Sequence, residues 1–400
     1  MTFSKAVPVA GMGCLCACGN TTHSAFEGAL NGRANFVLPK DRVQSTYTEK
    51  FPVFLVPCEE YATKPPDVTF SQFFFIKAAE QAFAQARISP CQLEAKRVGV
   101  IIGASVHPSF HCFDVCQHRH NGTYGAKDVL RIKNYLATSL AQWVSEYFGF
   151  TGPFQTVVTA CASGTDAIGL AKNWIETELC DAVLCGGTDE ITESPYDGFI
   201  RLLVSTPQRC RPFCKTRSGI NIGEGAAALL LTNQTLSQKF NLPCQGYVLG
   251  YGNACDGFHP TAPDPQGIGL QKALSFALKE SGISVNDLAF INAHGTASQA
   301  NDSAEAIAFN AILPNVPVWG SKSVTGHTLG AAGAVEAVLA LQALNQHLLP
   351  ATVGFTTEDE NLHIRPTVQT TSITKRFAMS DSLAFGGCNA AIVLGAKDAA

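Results

Sequence analysis

The sequence predicts an α/β layered fold built from two halves of similar order. Apolar strands alternate with amphipathic helices along the 400 residues, which is typical of sheets covered by helices. Hydrophobic residues make up 46% of the chain and charged residues 15%, which predicts a large buried core. The segments 156–170 and 317–340 share one order: a strand, a turn of small residues beside a reactive side chain, and a helix. This similarity indicates a duplication with a site between the halves.

Periodicity and turn signals place the elements of both halves. In the first half we predict strands at 7–18, 98–105, 156–159, 182–187 and 227–231, with helices at 22–30, 70–86, 135–148 and directly after Cys161. In the second half we predict strands at 245–252, 287–293, 316–321 and 391–395, with helices at 267–281, 301–309 and 329–344. Because residues 232–243 are polar, we divide the chain into 1–238, which carries a cysteine site, and 239–400, which carries two histidines.

Charge, hydropathy and cysteine usage exclude several classes of protein. A net charge of −4 gives no positive field for nucleic acid. No segment approaches the roughly 18 apolar residues of a membrane helix. The apolar run 6–18 is broken by two glycines, so we interpret it as a buried strand and not as a signal peptide. The 15 cysteines are scattered through a long chain, which predicts reduced thiols and a cytoplasmic protein.

Cys161 is the first candidate catalytic residue. It follows a β-branched run and precedes a helix, so unpaired backbone N–H groups and the helix dipole converge on it. A cysteine in that position can have its pKa lowered from about 8.5 into a range of roughly 3.5–7.5. The alternative is a small buried cysteine that packs as a hydrophobic residue.

His294 and His327 are the second and third candidates. Each follows a predicted strand, and open α/β sheets place their sites beyond the carboxyl ends of strands. A cysteine with two histidines suits carbon–carbon bond formation on thioesters: the thiolate accepts an acyl group, and two imidazoles stabilise the enolate left by decarboxylation. The glycine-rich turn at 384–389 could supply backbone N–H groups to an oxyanion hole.

Three motifs in this order resemble the elongating β-ketoacyl-acyl carrier protein synthases of the thiolase-fold superfamily. They are TACASG at 159–164, NAHGT at 292–296, and KSVTGH at 322–327 followed by LGAAG at 329–333. The resemblance covers essentially the full chain and implies a thiolase-like, five-layered αβαβα fold with two pseudo-repeated halves. It also implies decarboxylative Claisen condensation of a cysteine-bound acyl chain with malonyl-acyl carrier protein, in fatty acid or polyketide/polyene elongation.

The resemblance implies roles for the catalytic side chains. Cys161 would carry the growing acyl chain, and His294 and His327 would promote decarboxylation and stabilise the enolate. Lys322 and Glu336 would hold the orientation and charge state of the histidines.

It also implies a gate and a channel for the substrate. Phe385 would be the gate beside the thiol, and its N–H would join that of the nucleophile in the oxyanion hole. Thr296 and Ser298 would bind the phosphopantetheine arm, and Asp256 and Thr261 would line its tunnel. We therefore expect no cofactor of the chain's own, an acyl carrier protein as partner, and a homodimer or a heterodimer with a ketosynthase-like partner.

Some positions depart from the family pattern. Ser298-Gln299 replaces a threonine–proline pair, and Cys214 follows Arg-Pro-Phe where an aspartate is usual. These changes bear on which acyl chain and which pathway the protein serves, more than on the reaction type.

Alternative functions remain open at this point. A thiolase would need a second catalytic cysteine and an initiating synthase a Cys–His–Asn set, and His327 disfavours both. A non-catalytic scaffold of the chain-length-factor kind generally lacks the nucleophile, whereas the active half of such a heterodimer would have it. A thioester hydrolase would leave Lys322 and His327 without a role.

A crowded segment of histidines and cysteines is a further candidate, for a metal site. Its members are His107, His111, Cys112, Cys116, His118 and His120. The segment lacks a second ligand pair at structural-zinc spacing, so we predict no metal there. Residues 106–134 are interpreted as a cover for the acyl pocket or as part of a subunit interface.

Overall fold

A computed structural model describes residues 6–39, 42–43, 45–57, 64–65, 68–106 and 113–399. The strands are β1 (Val7–Leu15), β2 (Phe36–Val37), β3 (Val53–Phe54), β4 (Val98–Gly103), β5 (Phe154–Val157), β6 (Ala182–Asp189), β7 (Gly225–Thr232), β8 (Gly246–Cys255), β9 (Leu288–Asn292), β10 (Val318–Trp319), β11 (Leu348–Leu349), β12 (Thr371–Ser372), β13 (Phe377–Ala384) and β14 (Cys388–Gly395). The helices are α1 (Thr22–Leu30), α2 (Phe70–Ala86), α3 (Phe113–His120), α4 (Ala126–Ala137), α5 (Leu140–Phe148), α6 (Ser163–Glu176), α7 (Glu193–Arg201), α8 (Gln234–Phe240), α9 (Ile268–Ser281), α10 (Gln299–Ile312), α11 (Lys322–Thr325) and α12 (Ala332–Gln346).

Ten strands form one continuous sheet in the order β10-β9-β13-β14-β8-β1-β7-β6-β4-β5. The pairing of β1 with β8 joins two sets of five strands. From that junction outwards, each set has two antiparallel pairings followed by two parallel ones. The same strand order and directions in both sets confirm the predicted pseudo-repeat.

The helices lie in three layers around the two halves of the sheet. Helices α6 and α12 pack against each other and against strands of both halves, and α2 and α9 cover the outer faces. Glycines allow the outer helices to approach closely: a Cβ on Gly11 of β1 would collide with the carbonyl of Ala82 in α2, and one on Gly250 of β8 with the carbonyl of Ala277 in α9. These layers confirm the predicted αβαβα architecture.

The central helices cross at a pair of equivalent glycines. Gly164 is the second residue of α6, and a Cβ there would lie 2.8 Å from the N atom of Ala334 in α12. Gly333 is the second residue of α12, and its Cβ would collide with the side chain of Thr165 in α6. The first turns of the two helices therefore pack directly on each other, and the residues that precede them lie close together.

Two departures from the predicted elements have clear physical causes. Strand β13 was missed because its centre, 380–382, reads Ser-Asp-Ser; all three residues are nevertheless fully buried. The single helix predicted over 135–148 is two helices, since Ser139 caps α5 by accepting a hydrogen bond from the N–H of Gln142 at 3.2 Å. The division at 238/239 falls within α8 and stays a prediction.

Within the part of the chain that the structure describes, no helix is long and apolar enough to cross a membrane.

Candidate active site

The turn that carries the candidate nucleophile Cys161, residues 159–163 and called the nucleophile turn below, connects β5 to α6. Ala160 has a left-handed backbone with φ of 49°, which turns the chain sharply. A short 3₁₀ turn over Ala160–Ala162 follows, and α6 begins at Ser163. The turn directs the side chain of Cys161 into a cavity and leaves it only 6% exposed.

The expected lowering of the thiol pKa was wrong. Burial raises the pKa of Cys161 to about 12, although the Lys322 charge and the backbone N–H groups of Phe385 and Cys161 act to lower it. The loss of solvation on burial therefore has a larger effect on the thiol pKa than the start of α6, which begins at Ser163, after the cysteine. The thiol therefore needs a base, and the Nε2 atom of His327 lies 3.1 Å from its Sγ atom.

The two histidines face each other within the cavity. Their ring centroids are 5.0 Å apart at an interplanar angle of 88°, and each residue is 2% exposed. Burial is the main cause that lowers both pKa values well below the ordinary 6.5, and the charge of Lys322 adds to it. Both imidazoles are accordingly neutral near pH 7, the form in which each has one N–H donor.

Lys322 fixes the tautomer of His294. Its Nζ atom lies 3.1 Å from Nδ1 of His294 and 2.5 Å from Oε1 of Glu336, and all three residues are buried. An ammonium has only donors, so Nδ1 accepts and the ring proton is on Nε2. Burial raises the pKa of Glu336 to about 7, against the effect of Lys322.

An aromatic stack borders the nucleophile. The rings of Phe385 and Phe199 are stacked with centroids 5.6 Å apart, and Phe199 meets His327 edge-on at 6.3 Å. The neighbouring Gly386 is exposed and has a φ of 84°, a conformation that favours glycine. Phe199, on α7, was not identified from the sequence, because nothing in the local pattern marks it as a partner of the 384–389 turn.

A cavity of roughly 380 Å³ connects these groups to the surface. It is lined by Cys161, His294, His327, Phe385, Thr296, Ser298 and Thr261, among others. Asp256 is outside this lining: its carboxylate accepts hydrogen bonds from Nδ2 of Asn389 at 2.8 Å and from the N–H of Asp264 at 2.9 Å. The residue expected in the tunnel instead fastens the glycine-rich turn to the 256–264 loop.

Comparison with known proteins identifies the family. Two family models match consecutive parts of the chain: the β-ketoacyl synthase N-terminal domain over residues 4–236 and the β-ketoacyl synthase C-terminal domain over residues 245–356. The chain belongs to the β-ketoacyl synthase family. It is 32% identical over 416 residues to the 3-oxoacyl-[acyl-carrier-protein] synthase 2 of Staphylococcus aureus (strain COL), a match that covers 98% of this chain and 99% of the relative.

Solved ketosynthase structures resemble this β-ketoacyl synthase over nearly its whole length. The ishigamide ketosynthase/chain length factor superimposes with a TM-score of 0.91 at 26% identity, covering 98% of this chain and 99% of that one. A ketosynthase in complex with its chain length factor from Xenorhabdus doucetiae gives a TM-score of 0.85 at 28% identity, with 99% of each chain covered.

Two further buried carboxylates hold the loops beside the candidate site residues of this synthase. Asp189, at the end of β6, accepts hydrogen bonds from the N–H groups of Ser105 at 2.8 Å and Gly330 at 2.7 Å. Glu305, on α10, accepts one from the N–H of Gly295 at 2.8 Å. A polar residue that closes an apolar strand is a signal that could have identified Asp189; Glu305 is recognisable only from the fold.

The cysteine that replaces the usual aspartate lies in a polar environment. The Sγ atom of Cys214 lies 3.3 Å from Oγ1 of Thr216 and 3.7 Å from Oγ1 of Thr356. Burial acts to raise the pKa of Cys214. Hydrogen bonds with the Thr216 side chain and with the backbone of Thr216, Thr356 and Thr357 have the larger combined effect and lower that pKa to about 6. These hydrogen bonds favour the thiolate form of Cys214 at the position where the family pattern has an aspartate.

In the described ranges, no group of three or more metal-ligating side chains is close enough to bind an ion. His107, His111 and Cys112 of the crowded segment lie outside those ranges. On the described part of that segment, Nδ1 of His118 pairs with Oδ1 of Asp128 at 2.8 Å.

Proposed function

We propose that this chain catalyses the decarboxylative Claisen condensation of a Cys161-bound acyl chain with malonyl-acyl carrier protein, which elongates the chain and releases CO2. The observation that carries the proposal is the Cys161 Sγ atom 3.1 Å from Nε2 of His327, with the neutral ring of His294 beside it in one cavity. A thioester hydrolase would need only Cys161 and His327.

Acyl transfer comes first. His327 accepts the thiol proton, and the Cys161 thiolate attacks the carbonyl carbon of the incoming acyl thioester. The backbone N–H groups of Cys161 and Phe385 both act on the Sγ atom, so they are placed to stabilise the oxyanion on the attacked carbonyl. Collapse of the tetrahedral intermediate expels the phosphopantetheine thiolate, which takes a proton from solvent, while His327 releases its Nδ1 proton to solvent and keeps on Nε2 the proton taken from Cys161.

Decarboxylation of the malonyl group follows in the same cavity. The malonyl thioester oxygen accepts hydrogen bonds from the Nε2–H groups of His294 and His327, so negative charge develops on that oxygen as CO2 departs. The enolate carbon then attacks the acyl-Cys161 carbonyl, and the cysteine thiolate leaves. Lys322 and Glu336 keep the histidines neutral and oriented during decarboxylation, because Lys322 both contacts Nδ1 of His294 and lowers the pKa values of the two rings.

The substrate arm follows the cavity. We assign Thr296 and Ser298, whose hydroxyl oxygens are 3.1 Å apart, to binding of the phosphopantetheine amides, with Thr261 beside them. Asp256 contributes indirectly, by holding the glycine-rich turn.

The partner is an acyl carrier protein, and the substrates on its phosphopantetheine arm make a cofactor of the chain's own unnecessary. The assembly is a homodimer or a heterodimer with a chain-length-factor-like subunit; two of the similar solved structures contain such a factor, which supports the second arrangement. The cysteines that the structure describes are all free thiols, which supports a reducing compartment, the cytoplasm.

The function is tested by intact-mass analysis of the chain after incubation with acyl carrier proteins bearing chains of graded length, with and without candidate partner subunits. We expect a mass increase equal to the acyl group, located on Cys161. Retention of the longest chains only with a partner would select the heterodimer, and absence of any acylated species would contradict the proposal.

Loss of the gate should slow acylation. We expect Phe385→Ala to reduce the rate of acyl transfer to Cys161 more than it reduces thermal stability, because the ring stacks on Phe199 beside the nucleophile. Intact-mass measurements on samples quenched at successive times give the rate of acyl transfer. Phe276→Ala, which truncates a phenylalanine that is 51% exposed on α9, is the matched control. Equal acylation rates for Phe385→Ala and the wild type would refute the gating role.

Removal of the buried Lys322 charge should change the pH dependence of the decarboxylation rate. Lys322 lowers the pKa values of His294 and His327, so Lys322→Met should raise them. A higher pKa means that protonation begins at higher pH, and protonated histidines are charged and lose the selected tautomer. We therefore expect the acid limb of the decarboxylation rate to move to higher pH. Lys77→Met, at an exposed lysine paired with Glu80, should leave the limb in place; an unmoved limb in a folded Lys322→Met variant would contradict this role.

A further inference from the structure

The nucleophile turn is held by a small set of side-chain hydrogen bonds. Ser163 closes it locally: its Oγ atom accepts from the N–H of Thr159 at 2.9 Å and donates to the carbonyl of Ala160 at 2.6 Å. The left-handed backbone of Ala160 is unfavourable for a residue with a Cβ, so the surrounding structure must impose it. Hydrogen bonds with residues outside the turn add to this support.

Asp166 supports the turn from one turn further along α6. It is only 5% exposed, and each carboxylate oxygen has one partner: Oδ2 accepts from Oγ1 of Thr159 at 2.5 Å, and Oδ1 accepts from the Tyr251 hydroxyl at 2.7 Å. Thr159 is two residues before the nucleophile. The carboxylate therefore fixes the side chain at the entrance of the turn.

Tyr251 brings this support from β8 in the other half. Its ring lies so close to Gly169 of α6 that a Cβ at that position would overlap ring atoms. Its hydroxyl accepts from Nδ2 of Asn253 at 2.7 Å, and its N–H donates to Oε2 of Glu280 at 2.5 Å. Glu280 also pairs with the fully buried Lys172 of α6 at 3.0 Å. Strand β8 is thus fixed to α6 at two levels.

We propose that Asp166 and Tyr251 are positioning residues for acyl transfer, which set the orientation of the Cys161 N–H and thiol through Thr159. The inference rests on the proposed function. A displaced Cys161 N–H weakens the oxyanion hole used when the acyl group enters and leaves, because that stabilisation depends on a preset donor position. Decarboxylation uses the two imidazoles, which this hydrogen-bond chain does not contact.

The test separates the two half-reactions. Tyr251→Phe removes the hydroxyl but keeps the ring against Gly169, and Asp166→Asn keeps the shape of the side chain. We expect both to slow acylation of Cys161 by roughly 10- to 100-fold, the effect of a small misplacement of reacting groups. Malonyl decarboxylation, measured in a Cys161→Gln background, should be unchanged, and the melting temperature should fall by at most a few degrees, the effect of losing one buried hydrogen bond. Tyr247→Phe, on the same strand, is the matched control and should change neither half-reaction.

A second readout does not require turnover. The N–H groups of Cys161 and Phe385 favour the thiolate, so a loosened turn should slow alkylation of Cys161 by iodoacetamide at fixed pH, followed by peptide mass spectrometry. Unchanged acylation and alkylation in both variants would overturn the inference, as would a parallel fall of both half-reactions with the melting temperature. A wild-type protein that is alkylated but never acylated would contradict the proposed function, while the alkylation comparison would still decide the positioning role.

Discussion

We expect Cys161→Ala to abolish condensation, with a loss of roughly 10⁴-fold or more, because Cys161 is the only cysteine among the described residues that line the cavity. Cys161→Gln should also fail to condense yet retain decarboxylation of malonyl-acyl carrier protein. Its amide occupies the space of the acyl thioester and leaves His294 and His327 in place. Condensation is followed as β-ketoacyl product by mass spectrometry, and decarboxylation as acetyl-acyl carrier protein.

The control for this pair is Cys185→Ala, which truncates another fully buried cysteine, on β6, and should preserve both activities. Elongation by Cys161→Ala would show that Cys161 is not the acyl carrier. A Cys161→Gln protein that neither condenses nor decarboxylates, though folded, would contradict the assignment of decarboxylation to the histidines alone.

His294→Ala gives the complementary result. We expect decarboxylation and condensation to fall by roughly 10²- to 10³-fold, the cost of removing one donor from an oxyanion site. Acylation of Cys161 should continue, because the base in contact with the thiol is His327, at 3.1 Å. The two half-reactions are measured separately, by acyl-enzyme mass and by release of CO2.

His23→Ala, on the exposed surface of α1, controls for the loss of an imidazole elsewhere and should match the wild type. Undiminished decarboxylation in His294→Ala would remove His294 from the mechanism. Loss of acylation together with decarboxylation would mean that the two histidines do not have separate tasks.

The sequence was informative where chemistry and local geometry coincide. A β-branched run, a turn of small residues and a helix placed Cys161 at a strand-to-helix junction, and the structure has that junction. The predicted duplication was likewise visible, since two segments repeat the same local order. His294 and His327 were expected near Cys161 because strand ends converge, and the three residues line one cavity.

Properties that depend on burial could not be predicted from local pattern. The thiol pKa of Cys161 was predicted to be low from its position before a helix, but solvation is lost through contacts with distant segments. Strand β13 was missed for the same reason: Asp381 reads as a surface residue, yet it is fully buried, and burial together with the charge of Glu336 raises its pKa to about 8. Polar residues inside a strand covered on both faces have no distinctive periodicity.

The crossing at Gly164 and Gly333 has a consequence for how the protein unfolds. The first turn of each central helix packs against the first turn of the other. Each half therefore needs the other to complete the surface of the site. We expect local loosening at the crossing to separate Cys161 from His327, so a half-folded state should be inactive. We therefore expect catalytic competence to require that both halves are folded against each other.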